Sequence, residues 1–344
     1  MEALVKERAD TQGLLLKDVP KPVIKSGQAL VRIGAVGVCG TDVHIYAGDV
    51  KINAPIVVGH EFSGTVEEII ADREDIKPGD KVVSRLNIGV CGICRACITG
   101  NPHMCEHRTC PGFAVDGAYA EYIAIDARQL VRLEDSVELT DAALVEPMAI
   151  VAHALFERSR IEAEDTVVIY GPGPIGLIAL QMAKMNGASN VIMVGTDVDL
   201  QMRIPAAEKL GADVIINAQQ QDAAQIINEL TEGKGADLVI EASGAEPAIN
   251  SGIDILRRQG RMCVLGLPTQ DKNLIKWLRA AEKSLQIVFN YSSSPLSWNM
   301  AVSMLNRGAF RTDEIITARL PLSQFKTMFD KIAKGEIIKG VFLP

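Results

Sequence analysis

Residues 166–180 read TVVIYGPGPIGLIAL. A short apolar β run, TVVIY, enters a glycine–proline turn, and the turn opens a stretch of helical composition, PIGLIALQMAKMNG. A strand that feeds a glycine-rich turn and then a helix is the setting in which G-x-G-x-x-G becomes informative. The glycines are Gly171, Gly173 and Gly176. The first permits the tight turn, the second lets backbone approach a pyrophosphate, and the third lets helix pack on strand. The helix N-terminus then faces the phosphates. A plain Gly-Pro loop is the other reading of the same residues.

Downstream, NVIMVG, DVIIN, DLVIEA, RMCVLG and LQIVFN are further apolar β runs, with helical stretches between most of them. Six such runs in alternation with helices predict a parallel sheet covered on both faces. The second strand of a dinucleotide-binding fold carries, about 20 residues beyond the glycines, an acid for the ribose hydroxyl. Gly195 stands at that place, and Thr196, Asp197 and Asp199 follow it. A glycine leaves room for a 2′-phosphate, with Arg203 as the nearest cation, but the two carboxylates would repel that phosphate. NAD is favoured, and NADP is possible.

Upstream, the chain consists of short β runs separated by turns: ALVRIGAVGV, IVVGHEF, GTVEEII, KVVSRL and AYAEYIAI. Near residue 141 the pattern changes. DAALVEPMAIVAHALFE has apolar residues at helical spacing, with Asp141 as a candidate cap. A helix is also expected over 296–306.

Four of the seven cysteines fall within residues 91–105, as Cys91, Cys94, Cys97 and Cys105. Close C-x2-C spacing aims pairs of sulfurs at one point, and tetrahedral zinc takes four thiolates at about 2.3 Å. An iron–sulfur cluster and unliganded thiols are the alternatives. The ferredoxin pattern places its fourth cysteine sooner and before a proline; here Glu106 follows it. Four protein ligands leave no open position, so a zinc here is structural. His103 and His107 read as surface residues flanking this lobe.

A second candidate metal site lies earlier. GVCGTDVHIY and VVGHEF supply Cys39, His60 and Glu61, and LVEPMA supplies Glu146. A thiolate, an imidazole and a carboxylate with one open position make a catalytic zinc site. Any one of these residues alone is more ordinarily a packing or turn residue.

Composition bounds the rest. A chain of 344 residues suggests about two domains and needs no disulfide staples. The segment MEALVKERAD has no apolar core of a secretory signal, and no run approaches the roughly 18 to 20 apolar residues of a membrane span. A reducing, cytoplasmic setting is expected. Net charge of −8, 4% aromatic residues and no Lys/Arg cluster argue against nucleic acid and anionic membrane as partners.

Taken in order, GVCGTDVH, GHEFSG, the four-cysteine lobe, LVEPMA and GPGPIG make the chain resemble the zinc-containing medium-chain dehydrogenase/reductases. The resemblance runs over essentially the whole length and is strongest to the polyol (sorbitol) and threonine dehydrogenase branch. It implies an α/β protein. A GroES-like β-barrel catalytic domain would comprise residues 1–148 and 288–344, with the structural-zinc lobe at about 88–110. A Rossmann domain, a doubly wound parallel six-stranded sheet, would comprise 149–287.

By the same resemblance, Cys39 and His60 are zinc ligands and Glu61 is the third. Glu146 is bound directly or through water. Thr41 takes the alcohol proton and His44 passes it on. Asp42 either holds His60 by a hydrogen bond or serves the turn. Ile175, Leu265, Gly266, Leu267, Phe289 and Asn290 join the glycines, Thr196, Asp197 and Arg203 along the cofactor.

The implied activity is hydride transfer between the CH–OH carbon of a secondary, polyol-like alcohol and NAD(P), with two zinc ions per chain. The alternatives are a threonine-type amino-alcohol dehydrogenase and a non-enzymatic NAD-binding zinc protein. A homo-oligomer, tetramer or dimer, is implied. Two departures concern the pocket. The polyol branch carries a tyrosine where this chain has Ile45, and an Arg-Tyr pair where it has Asn290-Tyr291. Phe113 and Tyr291 are pocket or core residues.

Overall fold

The computed structural model describes residues 1–9, 12–268 and 272–344. The chain divides into two compact units, Ile150–Ser293 and Met1–Ala149 with Ser294–Pro344.

The unit of residues 150–293 is built on six strands: β1 (Thr166–Tyr170), β2 (Asn190–Gly195), β3 (Val214–Asn217), β4 (Ala236–Glu241), β5 (Leu256–Val264) and β6 (Gln286–Phe289). They pair in the order β3-β2-β1-β4-β5-β6, every neighbour parallel. This is the doubly wound dinucleotide-binding order. Why the strands lack polar alternation is plain from their packing. Val168, Tyr170, Ile192, Val194, Val239 and Met262 enter one core with helices Ala223–Leu230 and Glu246–Ile255. Val167, Ile169, Met193 and Ile240 point to the opposite face, and are equally buried. Helix Pro174–Met185 packs on β1, β2 and β4. Sheets covered on both sides require apolar residues at successive positions.

The other unit holds a mixed sheet in the order Ile316–Pro321, Lys339–Leu343, Gln28–Gly37, Glu61–Ile70, Lys81–Ser84, Leu130–Arg132, with Tyr122–Asp126 also paired to Gln28–Gly37. Residues from both stretches of this unit share one core. Phe342 and Phe329 pack with Val36, Phe62 and Tyr119, and Tyr46 stacks on Phe329 at 4.6 Å between ring centres. Ile45 is also fully buried, and Tyr46 beside it is partly buried.

The helix expected over residues 141–157 is three pieces: Leu139–Ala142, Val145–Ala152 and a π-helical turn, His153–Arg158. Pro147 has no N–H and is tolerated only in a first turn, so a new helix begins just ahead of it. Asp141 is not a cap. It lies inside the first piece, whose N-cap is Glu138. The break puts Glu146 in the first turn of Val145–Ala152. His103 also departs from expectation: it is buried beneath a 3-10 turn, Pro102–Met104, whereas His107 is exposed. Among the described residues, no helix is long and apolar enough to cross a membrane.

Candidate active site

Cys39 ends the turn after strand Gln28–Gly37 and is the N-cap of helix Gly40–Ala47. His60 and Glu61 sit where Glu61–Ile70 begins, just after Gly59, whose φ of +92° favours glycine. Cys39, His60 and Glu61 each offer a ligand atom within 4.8 Å of the others. His60 is 6% exposed and Glu61 2%, so the donors are held largely away from water. A sulfur, a nitrogen and an oxygen converging in this way are what zinc with an open position uses.

His60 and Glu61 are each backed by a charged side chain. His60 Nδ1 lies 3.7 Å from Asp42 Oδ1, and both atoms are buried without a hydrogen-bond partner. That leaves Nε2 as the ring atom for a metal. Burial pushes the imidazole down, but Asp42 and the Cys39 sulfur outweigh it and the net direction is up. Asp42 itself is driven up by burial, against the pull of His60 and hydrogen bonds from Tyr119 and Cys39.

Glu61 is paired with Lys339, a residue sequence reading did not single out. Lys339 Nζ donates to Glu61 Oε2 inside the barrel, and both side chains are almost fully buried. Gly37 makes the room: a Cβ there would sit 2.4 Å from Glu61 Oε2. Burial pulls the Lys339 ammonium down, yet Glu61 and Cys39 keep it above its ordinary value.

Glu146 lies outside the 4.8 Å cluster but beside it, and is 9% exposed. Burial, with the charge of Glu61, pushes its carboxyl up to about 7. Thr41 Oγ1 lies 3.7 Å from Cys39 Sγ. His44, one turn further along the helix, is exposed, with Nδ1 3.4 Å from Asp49. The ring of Phe113 lies 5.1 Å from that of His60 and forms an apolar wall. Tyr291 is exposed.

In the four-cysteine lobe all sulfurs lie within 4.8 Å of one another. Cys91 and Cys105 are 3.7 Å apart, too far for an S–S bond of about 2.05 Å. The backbone N–H of Cys91 helps bring the Cys105 thiol down to about 6, whereas burial, with the neighbouring Cys94 sulfur, pushes Cys97 up to about 12. Four sulfurs this close suit a shared cation, which would hold them as thiolates. The lobe has little core of its own: helix Arg95–Ile98 buries nothing, and Ile93 is 83% exposed. Cys97→Ala is thus expected to open the lobe. Limited proteolysis should cut between residues 91 and 105 at least ~10-fold faster than in the parent chain, with the cluster at Cys39 still metal-loaded.

The cofactor candidates gather at the carboxyl ends of the parallel strands. Gly171 follows β1, Thr196 and Asp197 follow β2, Leu265 and Gly266 follow β5, with Leu267 next, and Phe289 and Asn290 close β6. Gly173 caps helix Pro174–Met185, with Ile175 and Gly176 in its first turn. The glycines differ in what they tolerate. A Cβ at Gly176 would lie 2.0 Å from the Gly171 carbonyl, whereas at Gly173 it would meet no protein atom within 4 Å. The space ahead of Gly173 suits a bound phosphate. Asp197 is exposed, and its Oδ1 accepts from Asn217 and Gln220, each at 2.7 Å. Arg203 donates to buried Asp199 at 2.9 Å. Glu241, unforeseen in the sequence, is buried at the end of β4 and accepts from the N–H groups of Ser243 and Gly244, shaping the loop against Gly171.

Residues 25–135 match the alcohol dehydrogenase GroES-like domain, and residues 174–307 match the zinc-binding dehydrogenase family. The chain belongs to the zinc-binding alcohol dehydrogenases and is an alcohol-type oxidoreductase. It is 36% identical to D-arabitol-phosphate dehydrogenase of Enterococcus avium, over 98% of this chain and 96% of that one. It is also 36% identical to sorbitol dehydrogenase of Halalkalibacterium halodurans, over 100% and 99%. A solved dehydrogenase from Sinorhizobium meliloti 1021, bound to NADP, superimposes with a TM-score of 0.91 at 27% identity, covering 100% of this chain and 99% of that one. The family's zinc and nicotinamide cofactor fit the donor cluster and the glycine turn described above.

Proposed function

We propose that this chain oxidises a secondary hydroxyl of an unphosphorylated polyol with NAD⁺, and that it carries two zinc ions, one catalytic and one structural. The observation that carries this reading is the Cys39–His60–Glu61 cluster, half-buried at the sulfur and buried at the other two donors, backed by Asp42 and Lys339. Zinc, when bound, polarises the substrate hydroxyl as a Lewis acid, and the nicotinamide accepts the hydride. The chain does the rest. Cys39, His60 and Glu61 hold the metal; Glu146, with its carboxyl near neutrality, holds or releases a proton beside it. Thr41 takes the hydroxyl proton, and exposed His44 on the same helix passes it to water. Phe113 lines the site with apolar surface for the carbon chain.

NAD is favoured over NADP because Asp197 keeps a negative charge at the end of β2 and Arg203 is engaged by Asp199. A neutral polyol is favoured because the cluster's own cation, Lys339, is buried and bound to Glu61. All seven cysteines are free, which suits a cytoplasmic compartment. A homo-oligomer is expected by family resemblance.

The test is a panel of polyols, polyol phosphates, L-threonine and simple secondary alcohols with NAD⁺ and NADP⁺, read by nicotinamide absorbance, beside metal analysis. Two zinc per chain and fastest NAD⁺ reduction with an unphosphorylated polyol are expected. Preference for a phosphate ester would overturn the substrate assignment, and one zinc or none would overturn the metal assignment.

A further inference from the structure

Tyr119 is fully buried and stands far from the metal-ligand segments in sequence. Its hydroxyl nevertheless donates to Asp42 Oδ2 at 2.7 Å, across 77 residues. The same oxygen accepts from the Cys39 backbone N–H at 2.9 Å. The other oxygen of that carboxylate is the one that faces His60 Nδ1 at 3.7 Å. A carboxylate held by two donors on one oxygen cannot turn freely, so its second oxygen stays aimed at the imidazole.

The ring acts on the second ligand segment. It covers Gly59, where a Cβ would sit 2.4 Å from the ring. The Tyr119 N–H donates to the Val58 carbonyl at 2.8 Å, and the Ala118 N–H donates to the Gly59 carbonyl at 2.9 Å. Phe342 meets the ring edge-on at 5.2 Å between centres. Tyr119 thus touches both stretches that bring Cys39 and His60 together.

We propose that Tyr119 is a positioning residue for the catalytic metal: its ring fixes the turn before His60, and its hydroxyl locks Asp42 so that one carboxylate oxygen orients the imidazole. The inference rests on the reading of Cys39, His60 and Glu61 as metal ligands. Groups behind a ligand histidine set its tautomer and direction, and losing them weakens metal binding by about 10- to 100-fold.

Tyr119→Phe is the test, because it keeps the ring over Gly59 and against Phe342 and removes only the hydroxyl. The apparent zinc dissociation constant of the full chain is measured by chelator competition in the parent, Tyr119→Phe, Asp42→Ala and the double variant. Cys39→Ala serves as the reference for zinc held only by the lobe. Tyr119→Phe is expected to weaken zinc binding about 10-fold or more, and to cost nothing further once Asp42 is gone. An unchanged constant, or a loss equally large in the Asp42→Ala background, overturns the proposal. If the parent chain takes up no zinc beyond that of Cys39→Ala, the metal-site reading falls as well. Parent binding with an indifferent Tyr119→Phe sinks this inference alone.

Discussion

Cys39→Ala is expected to abolish alcohol oxidation while leaving the chain folded. The sulfur is one of three donors, and two donors cannot hold a zinc tightly against competing water. Lewis-acid stabilisation is worth several kcal/mol, and about 1.4 kcal/mol is a factor of ten in rate. Turnover should therefore fall by ~10³-fold or more. Stability should change little, because Cys39 is only half-buried and the Asp42 side chain, which accepts from the residue-39 backbone N–H, keeps its half of the capping box. Metal analysis should show one zinc fewer than in the parent, and thermal unfolding should be nearly unchanged. Full activity with a single remaining zinc would remove the Cys39 cluster from the chemistry.

Gly173→Val and Gly176→Ala should fail in opposite ways. Gly173 has φ near −71°, which any residue adopts, and no protein atom contests its Cβ. Valine there should leave the fold intact and fill the space a pyrophosphate would occupy, weakening NADH binding by ~100-fold or more. Gly176 lies against the Gly171 carbonyl, and even a methyl group must push the turn open. Its loss is expected to cost about 3 kcal/mol of stability, in the upper range of overpacking effects. Calorimetric titration with NADH and thermal unfolding of the two variants separate the effects. Undiminished NADH binding by Gly173→Val would exclude the turn from the cofactor site.

Much of this was readable in the sequence because its causes are local. β1 runs over the residues expected, 166–170, since a strand buried on both faces must be continuously apolar. The Cys39, His60 and Glu61 cluster was readable because its donors lie at or next to short glycine-marked turns, in GVCG and VVGHEF. What escaped has long-range causes. Lys339 meets Glu61 across 278 residues, and a single lysine in IIKGVFLP carries no local sign of its partner. Tyr119 looks like one more aromatic on an apolar strand. The π-turn at His153–Arg158 follows the same apolar spacing as an ordinary helix, so periodicity could not reveal it. His103 was misplaced because burial in a small lobe depends on how the turn folds over it.

Strand Lys339–Leu343 lies between Ile316–Pro321 and Gln28–Gly37 and delivers the lysine that meets Glu61. A ribosome making this chain releases residues 150–293 in full before that strand appears. During synthesis Glu61 therefore has no Lys339 to pair with until the last few residues are made. The nucleotide-binding half can mature as it emerges, whereas the metal-binding half is completed only near the end of translation.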